Sequence, residues 1–177
     1  MDRKTAAALS VAERRLGYEL TIVQGPYNPG GVGASGCTHD RGGVVDLASY
    51  DQANKVRVLR DVGFAAWFRP AISGLWGAHV HAVLIGHQDL SPAARRQVWR
   101  FEDGLDGLAA GAVDPNPYRP EVKSFSYAAW WKDHEIGVRL ATIKAKRKQL
   151  FDKISAKKAK RERLKIEAQK LRQQRTY

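Results

Sequence analysis

The chain has 177 residues, one cysteine and a net charge of +12. That length allows one domain with a buried core plus an appendage. The single Cys37 excludes an internal disulfide, and no apolar run approaches the roughly 20 residues of a membrane span, so no membrane insertion is expected. Residues 1–138 carry 15 Lys and Arg against 15 Asp and Glu, whereas residues 139–177 carry 15 against 3. A neutral globular part is therefore followed by a strongly basic tail.

Residues 5–17 predict a helix, with Ala6, Leu9, Ala12 and Leu16 at helical spacing and Gly17 as its stop. The N-terminus is charged and lacks the apolar stretch of a signal peptide, which predicts synthesis in a host cytoplasm without export signal. Residues 18–23 alternate and read as a strand. Residues 24–43, dense in Gly and Pro, read as a long loop of the kind that carries function. A short strand at residues 44–47 follows, then a helix over 51–62 with Asp51 as its cap and Gly63 as its end. Residues 64–69 and 79–86 read as strands, the second nearly continuous in apolar character and so central. Ser91 and Pro92 mark the cap and first position of a helix over 90–100.

From residue 104 the composition turns to Gly, Ala, Asp and Pro, which predicts a linker over 104–124 after a domain of 1–103. Residues 125–177 open with the aromatics Phe125, Tyr127, Trp130 and Trp131 and continue as a helix from about Ile136 to Leu171. Ten seam positions from Leu140 to Leu171 include seven apolar ones, interrupted by Arg147, Lys157 and Arg161. Such a helix is too long to bury its stripe on a small domain, so the reading calls for a partner chain. Like charges disfavour self-dimerisation and favour attachment to a larger assembly.

The chemistry concentrates in two stretches, SGCTHDRGGVVD at 35–46 and WGAHVH at 76–81. Zinc takes His, Cys and carboxylate ligands and, when catalytic, keeps one position open. Gly42 and Gly43 let the chain turn so that His39 and Asp46 can face one point. In a strand, residues 79 and 81 share a face and Val80 points the other way. His39, Asp46 and His81 are thus the candidate metal ligands, with His79 beside them. Cys37 is an alternative fourth ligand that would close the site, and Trp76 a candidate flank of the cleft.

The pattern His39-x-x-Gly42-x-x-x-Asp46 followed by His79-x-His81 resembles the zinc D-Ala-D-Ala carboxypeptidase and D,D-dipeptidase family, which shares a fold with the hedgehog signalling domain and includes phage endolysin peptidases. The resemblance spans about residues 5–100 and is greatest to lysin-type proteins of actinobacteria and their phages. It implies an α+β fold, a small antiparallel sheet with flanking helices, here extended by a long basic C-terminal helix. It implies zinc on His39, Asp46 and His81, with His79 assisting catalysis. The family's Ser before the first ligand is Cys37 here and its Ala is Val44. Its general-base Glu three residues before the last ligand is Ala78, which leaves His79 or Asp40 for that role. Gln24 and Tyr27 stand near the family's substrate-binding Arg.

Three functions follow as expectations. One is a zinc peptidase acting on bacterial peptidoglycan stem peptides, a phage lysin at the cell wall or carried in the virion. Another is a catalytically weak or inactive structural virion protein, held among other phage structural proteins by its C-terminal helix. The third is non-specific contact between the basic residues 157–165 and an anionic polymer, nucleic acid included.

Overall fold

The structure is a computed structural model that describes residues 1–30, 32–121 and 123–174, without the side chains of Asp133 and Gln174. The chain divides into two compact units, residues 1–127 and 128–177. The first unit is α+β. Its four-stranded antiparallel sheet has the order β1-β2-β4-β3, built from β1 (Ile22–Gln24), β2 (Val44–Ala48), β3 (Phe64–Arg69) and β4 (His79–Leu84). Helices α1 (Arg3–Leu16) and α2 (Gln52–Val62) cover one face, and α3 (Pro92–Glu102) packs on the other.

Both faces of the central strands are buried, which explains why their sequences read as nearly continuous apolar runs. Val45, Leu47, Val80, Ala82, Phe64 and Ala66 point to α1 and α2. Val44, Val83, Ala65 and Trp67 point to α3, against Leu90, Val98 and Phe101. Toward the other end of that second face the apolar residues give way to Asp46, His81 and His79, and α3 no longer seals the layer. This is where the candidate site opens.

The caps follow the local chemistry. Ser91 Oγ accepts the Ala94 amide at 3.1 Å, with Pro92 at the start of α3, as its sequence predicts. Asp51 does not cap α2: its backbone is left-handed (φ 50°), and its carboxylate accepts from the Tyr18 hydroxyl and the Asn54 amide. The strand expected over 18–23 is confined to β1. The Leu20 amide donates to Glu13 Oε1 at 2.9 Å, which ties this stretch to α1 instead of to a neighbouring strand.

Residues 104–120 are a docked wall, not a free linker. Arg60 is buried and donates to the Ala66 carbonyl at 2.7 and 2.9 Å, to the Tyr118 carbonyl, and to Asp114 Oδ2 at 2.5 Å. Breaking such a buried pair leaves an uncompensated charge. Trp67 Nε1 donates to the Leu105 carbonyl at 3.1 Å, and Arg69 to the Asp106 carbonyl at 2.5 Å. Farther on, residues 123–125 pass so close to Gly63 that a Cβ there would meet the Lys123 carbonyl at 2.7 Å. The globular unit accordingly extends well beyond residue 103.

The second unit consists of helix α4 (Tyr127–Gln174), 48 residues long and begun nine residues earlier than its sequence predicts. Gly137 costs only about 1 kcal/mol in a helix interior. Trp130 and His134 stack one turn apart with ring centroids at 5.0 Å, which supports the turn before it. Every described side chain from 131 to 173 is exposed, among them Leu140, Ile143, Leu150, Ile154, Leu164 and Leu171. No helix among the described residues is long and apolar enough to cross a membrane.

Candidate metal centre

The site is laid out on the pleat of the sheet. Gln24 pairs with Asp46, Asp46 with His81, and His81 with Trp67, one row across all four strands. The adjacent row pairs Ala48 with His79 and His79 with Arg69. His79, His81 and Asp46 share a face because strand side chains alternate with period two. His39 arrives from above, on a 3-10 turn (Thr38–Asp40) of the long loop. The Asn28 amide donates to the His39 carbonyl at 2.9 Å, and Ser91 Oγ to the Thr38 carbonyl at 3.1 Å, so the turn is anchored on two sides.

The turn after His39 depends on its glycines. Gly43 has φ 82°, a left-handed conformation that glycine adopts without strain. A Cβ on Gly42 would lie 2.6 Å from His87 Cε1 and 2.7 Å from the Tyr27 hydroxyl. The H-x-x-G spacing thus reflects crowding as well as chain reversal.

His39, Asp46 and His81 are all buried, and each offers a ligand atom within 4.8 Å of the others, a group able to hold a metal ion. His39 Nε2 lies 3.3 Å from Asp46 Oδ2, and His81 Nδ1 lies 2.7 Å from Asp46 Oδ1. The far nitrogens are held from behind: His39 Nδ1 by the Gly25 carbonyl at 3.0 Å, His81 Nε2 by Gln97 Oε1 at 2.8 Å. A neutral imidazole has one N–H, and a carbonyl can only accept. His39 gives its Nδ1 proton to the Gly25 carbonyl and turns the Nε2 lone pair toward the carboxylate, whereas His81 Nδ1, 2.7 Å from Asp46 Oδ1, is hydrogen-bonded to it directly. His39 Nε2 is buried and has no aligned hydrogen-bond partner among the described residues; its 3.3 Å contact with Asp46 lacks that geometry. An unsatisfied buried nitrogen beside a buried carboxylate suits a cation between them, and outer partners of this kind orient metal-binding histidines.

The ionisation states agree. Burial acts to raise the Asp46 pKa, but the His39 and His81 nitrogens outweigh it and hold the carboxyl well below the usual carboxylate range. Burial pushes the His81 imidazolium down, against the opposing pull of Asp46. An ionised carboxylate beside a neutral imidazole is the form that binds a metal.

His79 lies at the mouth. Its Nδ1 donates to the Gly77 carbonyl at 2.7 Å, leaving Nε2 3.8 Å from Asp46 Oδ1. Trp76 stands edge-on to it, with ring centroids 6.3 Å apart. Gln24 also lines the hollow and is clamped to Ser35 Oγ at 2.9 Å. Tyr27 is absent from the lining, as are Cys37 and Asp40. Tyr27 is half exposed and is held through its amide to the Arg41 carbonyl, with its hydroxyl over Gly42 on the far side of the loop. Cys37 is exposed. Ala78 is exposed as well, and the lining offers no carboxylate besides Asp46.

Val32, Ala34 and Thr38 of the long loop also line the hollow, as do Arg69, Gln97 and Leu108, which were not legible as site residues. Arg69 ends a strand whose alternation could have placed it beside His79. Gln97 is a polar position on the otherwise apolar inner stripe of α3. Leu108 carries no local signal. Fold and site together define an α+β domain with a candidate metal centre on one sheet face. Comparison with family models, curated proteins and solved structures finds no match to this chain.

Proposed function

We propose that the chain is a zinc metallopeptidase-like protein, related to the D-Ala-D-Ala carboxypeptidase and D,D-dipeptidase family, that acts on peptidoglycan stem peptides as a phage lysin or virion-associated cell-wall peptidase. The observation that carries the reading is the buried His39, Asp46 and His81 cluster, with its unsatisfied His39 Nε2, beneath an open hollow. A zinc ion on these three side chains supplies Lewis acidity toward a carbonyl and acidifies water. The chain's own residues supply the rest. His79 Nε2 is the titratable atom placed to take and return a proton, its ring set by Gly77 and Trp76. Gln24 and Trp76 contact substrate at the walls of the hollow.

The test is metal analysis of the purified protein, followed by counting amino groups released from cell walls with and without chelator. One zinc per chain and a chelator-sensitive rate are expected. A rate indifferent to chelator sinks the proposal. With His79 as base, Ala78→Glu leaves the rate unchanged; a higher rate would show that the missing carboxylate base was the limit.

A second reading, a structural virion protein, is favoured by the exposure of the apolar residues along α4. It predicts bound metal without hydrolysis, and co-sedimentation with virions that deletion of residues 138–177 abolishes.

A further inference from the structure

The seam of α4 is bordered on both sides by cations. From Ile136 to Leu171 its positions recur at alternating steps of four and three, the heptad spacing of a coiled coil, for about five heptads. With Leu140, Arg147, Ile154 and Arg161 at heptad position a, Ile143, Leu150, Lys157 and Leu164 fall at d. The g row beside them then reads Arg139, Lys146, Lys153 and Lys160, and the e row on the other side is cationic too. Of the ten e and g positions from 139 to 172, only Phe151 and Glu167 are not Lys or Arg. Two of these cations have local partners, Arg139 with Glu135 at 2.9 Å and Lys165 with Glu162 at 3.2 Å, and exposed pairs of this kind are weak. Within the seam, Leu140, Leu150 and Ile154 are each more than half exposed.

We infer that this seam pairs with an acidic heptad helix of another protein, one with Glu or Asp at its own e and g positions and opposite Arg147, Lys157 and Arg161. Flanking charges choose the partner of a coiled coil. A second copy of this chain would set cation against cation whichever way the helices run, because both rows carry the same sign. An acidic helix satisfies both rows in either direction. The three cations inside the seam then fix the register, since each is buried without a counter-charge unless a carboxylate stands in the same layer. Nucleic acid has the complementary charge but nothing to cover the leucines and isoleucines. A membrane surface takes a broad apolar face, whereas this stripe is narrow and holds three cations. The partnership rests on the exposed stripe of the second reading, yet it requires neither a virion nor a working metal centre.

The experiment uses the full chain and three synthetic peptides of about five heptads. One has Leu and Ile in its seam, Glu at e and g, and Glu opposite the three seam cations. The second has Gln in place of every e and g Glu. The third has the composition of the first in scrambled order. Binding is read by calorimetry at physiological salt. A one-to-one complex with the first peptide is expected, at least about tenfold tighter than with either of the others. The double variant Leu150→Gln with Ile154→Gln should lose it, and circular dichroism of that variant checks that α4 persists. Lys146→Glu with Lys153→Glu should weaken the first peptide and not the second. Equal binding of the scrambled peptide, or binding that survives the seam variant, reduces the contact to plain charge attraction and overturns the inference. Tighter binding of a random DNA duplex or of anionic vesicles overturns it as well, as does a salt-stable homodimer in sedimentation. Peptide binding without co-sedimentation with virions upholds the inference and removes only the virion reading.

Discussion

The two units of this chain contain similar residues and use them in opposite ways. In residues 1–127, charges are buried with partners: Arg60 against Asp114, Asp46 among three histidines, Lys55 donating to the Ala48 carbonyl at 2.7 Å. In α4 the charges are solvated, with local pairs between Glu135 and Arg139 and between Glu162 and Lys165. Its leucines and isoleucines are exposed too. One unit is held by contacts distant in sequence, the other by propensity and the backbone ladder. Substitutions should accordingly be costly in the first and nearly silent in the second.

The largest effect is expected at the candidate metal centre. Asp46→Ala removes the carboxylate both histidines face, and bound metal should fall from one per chain to background by elemental analysis. Gln97→Ala, which frees the outer nitrogen of His81, should weaken metal binding by about 10–100-fold. Unchanged affinity would mean that Gln97 does not orient the ring.

Next is the clamp that docks residues 104–120. Asp114→Ala leaves the Arg60 guanidinium buried and unpaired, and should cost about 3–5 kcal/mol in urea denaturation of the globular unit. A loss below about 1 kcal/mol would show that this segment is only loosely attached, as its composition predicts.

A smaller effect is expected at the start of α1. Asp2 caps Thr5 and meets His87 Nε2 at 3.0 Å. Burial acts to raise its pKa, but the bonds from His87 and Thr5 hold it below the ordinary carboxylate range. A depressed carboxylate stabilises the fold above its unfolded value of about 3.9, and that contribution is lost as pH falls through the folded value. Asp2→Ala should therefore cost about 1 kcal/mol at pH 7, and the gap between variant and parent should narrow below pH of about 3.9. A gap independent of pH would place the effect in packing alone.

The smallest effect sharpens the contrast. Leu150→Gln in α4 should change the stability of residues 1–127 by no more than about 0.5 kcal/mol. A larger change would break the contrast drawn between the two units.

The sequence by itself determined what depends on neighbours along the chain. The strands at Phe64–Arg69 and His79–Leu84, the cap at Ser91 and the long helix follow from period, propensity and short-range hydrogen bonds. The convergence of His39, Asp46 and His81 was legible because a glycine turn and a strand alternation limit where three side chains can point. Only the tertiary structure decided the outer partners and the walls. Gln97 reaches His81 because α3 crosses that end of the sheet, and Leu108 lines the hollow because Arg60, 54 residues from Asp114 in sequence but adjacent to it in space, captures that carboxylate. Tyr27, adjacent to the site in sequence, is turned out of it by a left-handed backbone (φ 59°). Local pattern records the shape a segment prefers; it holds no record of which distant segment will supply the missing hydrogen-bond acceptor or wall.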